Sequence, residues 1–167
     1  MKTAMLYGAL GGMVWLLAAC GFQLRGTADL PPQMARTYLA MPDRYGEFGR
    51  ALERMLAANE VVVTEDTSQA TAILRINREQ FVRTAASFSG TARTSEFRLT
   101  YYVDFQLQDA AGKPLSTQRH VELFRDYSFD EQEILAATRE EEFLRKEMQT
   151  SMVSEVLRRL EALRIGG

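Results

Sequence analysis

From Phe97 to Leu107 every odd position is apolar (Phe97, Leu99, Tyr101, Val103, Phe105, Leu107), and the even positions between them are Arg98, Thr100, Tyr102, Asp104 and Gln106. A period of two means a strand with one face packed and the other in water, so this segment is expected to anchor a half-buried sheet. Ala72, Leu74 and Ile76 alternate with Ile73, Arg75 and Asn77 inside a second strand candidate over 70–84. Asp109-Ala110-Ala111-Gly112-Lys113-Pro114 has turn chemistry, and 115–127 is expected to return as its hairpin partner. Ser89-Gly90-Thr91 reads as the tip of a longer hairpin between the two preceding strands, which would make a three-stranded antiparallel meander.

Two segments change to helical spacing. In 44–58, Phe48, Leu52, Met55 and Leu56 fall on one stripe, with Arg50, Glu53 and Arg54 off it. A short strand candidate, 37–41, precedes this helix and stops at Pro42; Asn59 is placed to cap it in a left-handed conformation, and Val61-Val62-Val63 resumes an extended chain. The last segment repeats Leu144, Met148, Met152, Val153, Val156, Leu157, Leu160 and Leu163 every three or four residues, with Arg145, Lys146, Glu155, Arg158 and Arg159 on the other face. Ser128 with Glu131, and Thr138 with Glu141, have the spacing of capping boxes. Strand, helix, strands, long helix predicts an α+β fold: a two-layer sandwich in which a mainly antiparallel four-stranded sheet is packed by two helices, the C-terminal one long.

Composition agrees with one folded domain: 167 residues, 46% hydrophobic, 25% charged, net charge −2. A sequence pI near 5.6 gives no electrostatic reason to expect nucleic acid. One cysteine excludes a disulfide within the chain, and one histidine beside it excludes the usual zinc clusters, so neither metal nor cofactor is expected.

The amino end has a separate character. Lys2 is followed by a 14-residue apolar run from Ala4 to Leu17, shorter than the ~18–20 residues that span a bilayer and weakened as a helix by Gly8, Gly11 and Gly12. Leu17-Ala18-Ala19-Cys20 resembles the bacterial lipobox, which implies cleavage before Cys20 and acylation of that residue. Several acyl chains exceed the two-signal threshold for stable anchoring. Gly21, rather than an aspartate, after the cysteine favours sorting to the outer membrane. Residues 1–19 are thus expected to be a lipoprotein signal peptide, 20–35 a lipidated N-terminus and tether carrying Pro31-Pro32, and 36–167 a single domain.

Catalytic constellations are weak. His120 alternates with Val121 in a strand, Glu140-Glu141-Glu142 suits the positive end of a helix dipole, and Asp126 and Asp130 flank a loop; no nucleophile elbow, phosphate loop or metalloprotease motif occurs. A hydrolase would have to rest on His120 or Asp126, so an enzyme is not expected. Binding has better material. The wet strand face mixes Glu96, Arg98, Thr100, Tyr102 and Gln106 and suits a polar partner such as the lumen of a large β-barrel, while Arg83, Phe88 and Arg93 around the hairpin tip suit a phosphorylated amphiphile.

Cys20-Gly21-Phe22-Gln23-Leu24-Arg25-Gly26 resembles the C-G-[FW]-x-L-R opening of the LptE family of lipopolysaccharide-assembly lipoproteins. The likeness continues in Glu96-Phe97, in Phe124-Arg125 and in Arg145-Lys146-Glu147-Met148. The resemblance implies a small sheet carrying two helices, and a non-enzymatic lipoprotein of the Gram-negative outer membrane. It implies a role as plug and assembly aid of the β-barrel LptD, assisting delivery of lipopolysaccharide to the cell surface. It also implies contact with lipopolysaccharide through basic residues; where the family has them, this chain has Gly90 and Ala136-Ala137, so Arg93, Arg98 and Arg139 are the nearest candidates. The alternative is a free-standing periplasmic-face lipoprotein that holds a small amphiphile in a cleft between sheet and helices, or that binds another envelope protein.

Overall fold

The computed structural model describes residues 28–88, 94–130 and 134–163. In chain order the elements are strand β1 (Arg36–Ala40), helix α1 (Glu47–Ala58), strand β2 (Val62–Thr64), strands β3 (Ala72–Phe88), β4 (Thr94–Asp109) and β5 (Arg119–Asp130), and helix α2 (Ile134–Glu161). The strands form one sheet in the order β2-β1-β3-β4-β5.

The expected α+β class holds, with a correction to the sheet. It has five strands, not four, and one end is parallel: Arg36 pairs with Val62 and Thr37 with Ala72, so β1 lies parallel to both β2 and β3. The fifth strand is only three residues long. Such a short edge strand has no periodicity of its own, and its place depends on a β-α-β crossover that local pattern does not encode. The meander is as expected, with β3/β4 paired from Ala72↔Asp109 to Phe88↔Ser95 and β4/β5 from Phe105↔Arg119 to Thr94↔Asp130. The expected tip at Ser89-Gly90-Thr91 lies outside the described residues. β5 begins at Arg119, four residues later than expected, because Ser116 leaves the ladder to hydrogen-bond the β4 backbone, Leu107 N–H donating to Ser116 Oγ at 3.1 Å.

The core lies between the sheet and the two helices. Leu99, Tyr101, Val103, Phe105 and Leu107 of β4 are fully buried. They pack with Phe48, Leu52 and Leu56 of α1 and Met148, Met152, Val156 and Leu160 of α2. Each such side chain contributes roughly 1.5–3 kcal/mol gross. Met34, inside the segment expected to be tether, is also fully buried, and Pro32–Ala35 forms a 3-10 turn, so the packed unit starts ahead of β1.

Capping differs in detail. The left-handed residue after α1 is Glu60 (φ 64°), not Asn59. Val61 N–H donates to Leu56 O and Glu60 N–H to Ala57 O, which closes the helix as a Schellman motif. Asn59 instead donates from Nδ2 to Met55 O and accepts Ala28 N–H at Oδ1. The expected Thr138 capping box does not form, since Thr138 lies within α2 with its hydroxyl donating to Ile134 O; Ser128 lies within β5, and its expected partner Glu131 lies outside the described residues.

Candidate functional site

Among the described residues, one face of the sheet carries no helix. A bulge at Asn77 shifts the register between Ile76 and Arg78, so the residues of β3 beyond it on this open face are Arg78, Gln80, Val82 and Thr84. Arg98, Tyr102 and Asp104 from β4 and His120, Glu122, Phe124 and Asp126 from β5 share it through their cross-strand partners. They are tied across the strands. Arg98 donates from Nε and Nη2 to the two oxygens of Asp126 at 2.7 and 2.8 Å. That bidentate bond holds the Asp126 carboxyl below its usual range and the Arg98 guanidinium above its own. Asp104 forms an ion pair with Arg78, whose Nε lies 2.9 Å away, and lies 2.5 Å from His120 Nδ1. Cations also cover rings: Arg78 lies 4.8 Å from the Tyr102 centroid and Arg98 4.7 Å from that of Phe124. Phe124 is nevertheless 52% exposed, a large apolar ring presented from a polar ladder.

The opposite face of the same strands, beyond the aliphatic core, meets the first half of α2 through a polar-aromatic box. After the bulge the odd residues of β3 turn inward, which aims Glu79, Phe81 and Arg83 at the helix side. The Arg83 guanidinium sits 3.8 Å above the Phe97 ring and 5.4 Å from that of Phe129. Glu141 accepts the Tyr127 hydroxyl at 2.6 Å and Arg145 at 2.8 and 3.0 Å. Burial opposes ionisation of Glu141, but these donors outweigh it and hold the carboxyl below its usual range. The Tyr127 hydroxyl is pushed up to about 12, by burial first and by the neighbouring carboxylate second. Glu79 shows the reverse balance: burial raises its carboxyl although Tyr101 donates to it at 2.9 Å.

The sequence candidates are therefore spread over two layers. Arg98 stands on the open face, locked to Asp126. Arg139 is exposed on α2, on the other side of the sheet, between Leu135 and Phe143 at four-residue spacing; those two are 77% and 66% exposed. Arg98 and Arg139 are not brought into one site. Cys20 and Arg93 lie outside the described residues. His120 and Asp126, the residues on which hydrolysis would have rested, are partners in surface ladders. Arg83, grouped by sequence with the hairpin tip, belongs to the box facing α2. The buried positions of β3 are even up to Ile76 and Phe81 packs from an odd one, but Ile73 and Val82 are apolar on the other parity and hide this phase change in the sequence.

The lipopolysaccharide-assembly pattern of LptE matches residues 34–160, from the buried Met34 to the last buried turn of α2. The chain belongs to the LptE family. The LPS-assembly lipoprotein LptE of Yersinia enterocolitica is 30% identical over 161 residues, covering 96% of this chain and 77% of that one. Its counterpart in Photorhabdus laumondii is 27% identical, covering 96% and 87%. Among solved structures, an uncharacterized lipoprotein B from Nitrosomonas europaea superposes with a TM-score of 0.70 at 32% identity, covering 85% of this chain and 91% of that one. The rare lipoprotein B of Shewanella oneidensis gives 0.64 at 28% identity, covering 75% and 92%. LptE proteins work in lipopolysaccharide assembly and are not enzymes.

Proposed function

We propose that this LptE-family protein is anchored in the outer membrane through acylated Cys20 and acts as the plug and assembly partner of an LptD-type β-barrel, assisting insertion of lipopolysaccharide at the cell surface. The observation that carries the reading is the open sheet face. It is broad, polar and pre-organised by cross-strand ion pairs, and the exposed Phe124 ring gives it an apolar anchor. A polar lumen wall is the surface such a face complements, because hydrogen-bonding groups on both sides can exchange water for each other. The amphiphile-cleft alternative has less support: the space between sheet and helices is filled by fully buried side chains such as Tyr101, Phe105 and Met148.

The test places a photoreactive residue at Arg98, Tyr102 or Phe124 in living cells. Adducts of the size of a large β-barrel from the open-face positions are expected. Their absence, together with purification of the tagged protein free of any barrel, would refute the plug. The anchor is tested separately: Cys20→Ser is expected to abolish palmitate incorporation, and retained label would refute it.

A further inference from the structure

Helices α1 and α2 run side by side in the same direction, since Glu47 and Arg50 face Lys146 and Gln149 at one end of the seam while Asn59 faces Arg158 and Glu161 at the other. Between them is a groove in two adjoining parts. One, of about 310 Å³, is lined by Glu47, Arg50, Arg54, Lys146 and Gln149. The next, of about 300 Å³, shares Ala51, Arg54 and Thr150 with it and continues over Met55, Ala58 and Val153.

The cationic end is unlike the rest of the molecule. Most arginines elsewhere are paired: Arg78, Arg98, Arg125, Arg145, Arg158 and Arg159 all hold carboxylates. Among the described residues the side chains of Arg50, Arg54 and Lys146 have no ion pair, although they converge on one cavity from two helices. Three unneutralised cations against the single Glu47 repel one another unless an anion sits among them. Directly beyond them the floor turns apolar, with Val153 buried and Met55 packed against the core. A charged head next to an apolar trough is the complement of an anionic amphiphile.

We propose that the α1–α2 groove seats one singly phosphorylated glycerolipid, its phosphate held by Arg50, Arg54 and Lys146 and an acyl chain lying along Ala51, Met55, Ala58 and Val153. Size selects this occupant over a larger glycolipid with several chains and more than one phosphate, because there is one cationic cluster and the apolar part of the groove holds only about 300 Å³. Reach supports it too, on the proposed Cys20 anchor. Ala28 N–H is bound to Asn59 at the far end of the same seam, and eight residues from Cys20 span at most roughly 29 Å. The groove therefore lies within a short tether of the leaflet.

The experiment uses the purified full chain in nonionic detergent micelles doped with photoactivatable phosphatidylglycerol, so that it reads the groove whether or not the anchor is correct. Labelled peptides from residues 47–58 and 146–153 are expected. Labelling should fall at least tenfold with photoactivatable phosphatidylcholine and in Arg50→Gln/Arg54→Gln, whose exposed positions leave the circular dichroism spectrum unchanged. Ala58→Trp, at an exposed position lining the apolar part, keeps the cations and fills the trough, and should lose labelling equally. Equal labelling by the zwitterionic lipid, or labelling unchanged in either variant, overturns the proposal. So does suppression by inorganic phosphate alone, which would mark a free-anion site, or displacement by an equal concentration of lipopolysaccharide. A concentration-dependent dimer abolished by the same substitutions would also overturn it, by showing that a second copy covers the groove.

Discussion

Val103→Asp tests the assignment of the two sheet faces. Val103 is fully buried in the middle of β4, between Glu79 of β3 and Val121 of β5. Removing the valine forfeits about 1.5 kcal/mol of burial. An ionised carboxylate in its place adds several kcal/mol of desolvation. Its neighbour worsens this, because burial already raises the Glu79 carboxyl and a second carboxylate beside it adds like-charge repulsion. The sum exceeds ~5 kcal/mol, the lower end of what a domain of this kind has in total. Gln80→Asp is the control: Gln80 is the next residue after Glu79, faces the open side opposite Tyr102, and is exposed. Its cost should stay within about 0.5 kcal/mol. Urea melts followed by circular dichroism should show Val103→Asp unfolded at pH 7 without denaturant and Gln80→Asp melting like the parent. At pH 4 the gap between Val103→Asp and the parent should narrow, since a neutral acid costs only about 1–3 kcal/mol to bury. A parent-like melt for Val103→Asp, or equal damage from both variants, would mean that the inward and outward faces have been exchanged.

Glu79 and Glu141 should respond to acid in opposite senses. Glu79 has a raised folded-state pKa, so its ionisation costs stability at neutral pH and that cost vanishes below the unfolded value near 4.5; Glu79→Gln should raise the melting temperature at pH 7 and lose its advantage at pH 4. Glu141 has a lowered one, so its contribution is complete above pH 4.5 and is lost as pH falls through the folded-state value. Glu141→Gln should cost about 1 kcal/mol at pH 7 and progressively less in acid, and a constant difference across pH would refute the carboxylate's role in the box. Gly49→Ala would bring a methyl carbon to 2.2 Å from the Arg44 carbonyl oxygen, a backbone atom that cannot swing away; a loss of roughly 2 kcal/mol is expected in a denaturant melt, and a neutral result would refute the close approach at the start of α1.

The elements that rest on a strict period were legible. β4 alternates over its inward residues from Leu99 to Leu107, and the apolar stripe of α2 names the buried Met148, Met152, Val153, Val156, Leu157 and Leu160. What the pattern left out depends on non-local geometry or on one-residue offsets. β2 is placed by a crossover rather than by its own residues, and the Asn77 bulge inverts the faces of β3 from Arg78 onward. The left-handed position after α1 fell to Glu60, one residue past the asparagine that usually favours it, because Asn59 is occupied in holding Ala28 and Met55. The site was legible as composition and not as arrangement. The polar face was visible in Arg98 and Tyr102, but the ion-pair partners Asp126 and Asp104 follow only from strand register, and the separation of Arg98 from Arg139 follows only from layering.

The molecule has two zones held by different forces, and the difference bears on how it can serve a partner. Around β1, α1 and the last half of α2 the interior is aliphatic and fully enclosed. Farther along the hairpin, where α2 runs back over β3–β5, helix and sheet meet through the part-exposed Arg83, Glu141 and Arg145 and the buried Tyr127 among rings. Apolar packing is non-directional and tolerates pH and salt; charge-assisted bonds are directional and weaken in acid. The polar zone should therefore open first as pH falls, with amide exchange in α2 residues 137–145 outpacing that in 152–160. The same directionality fixes the splay of the long hairpin, whose unpaired outer strand β5 alternates His120, Glu122, Phe124 and Asp126 on the open face and so resists pairing with a second copy of itself. On the proposed plug reading, the part needs a shape set in advance and an edge that does not self-associate, and the ion-pair ladders provide both.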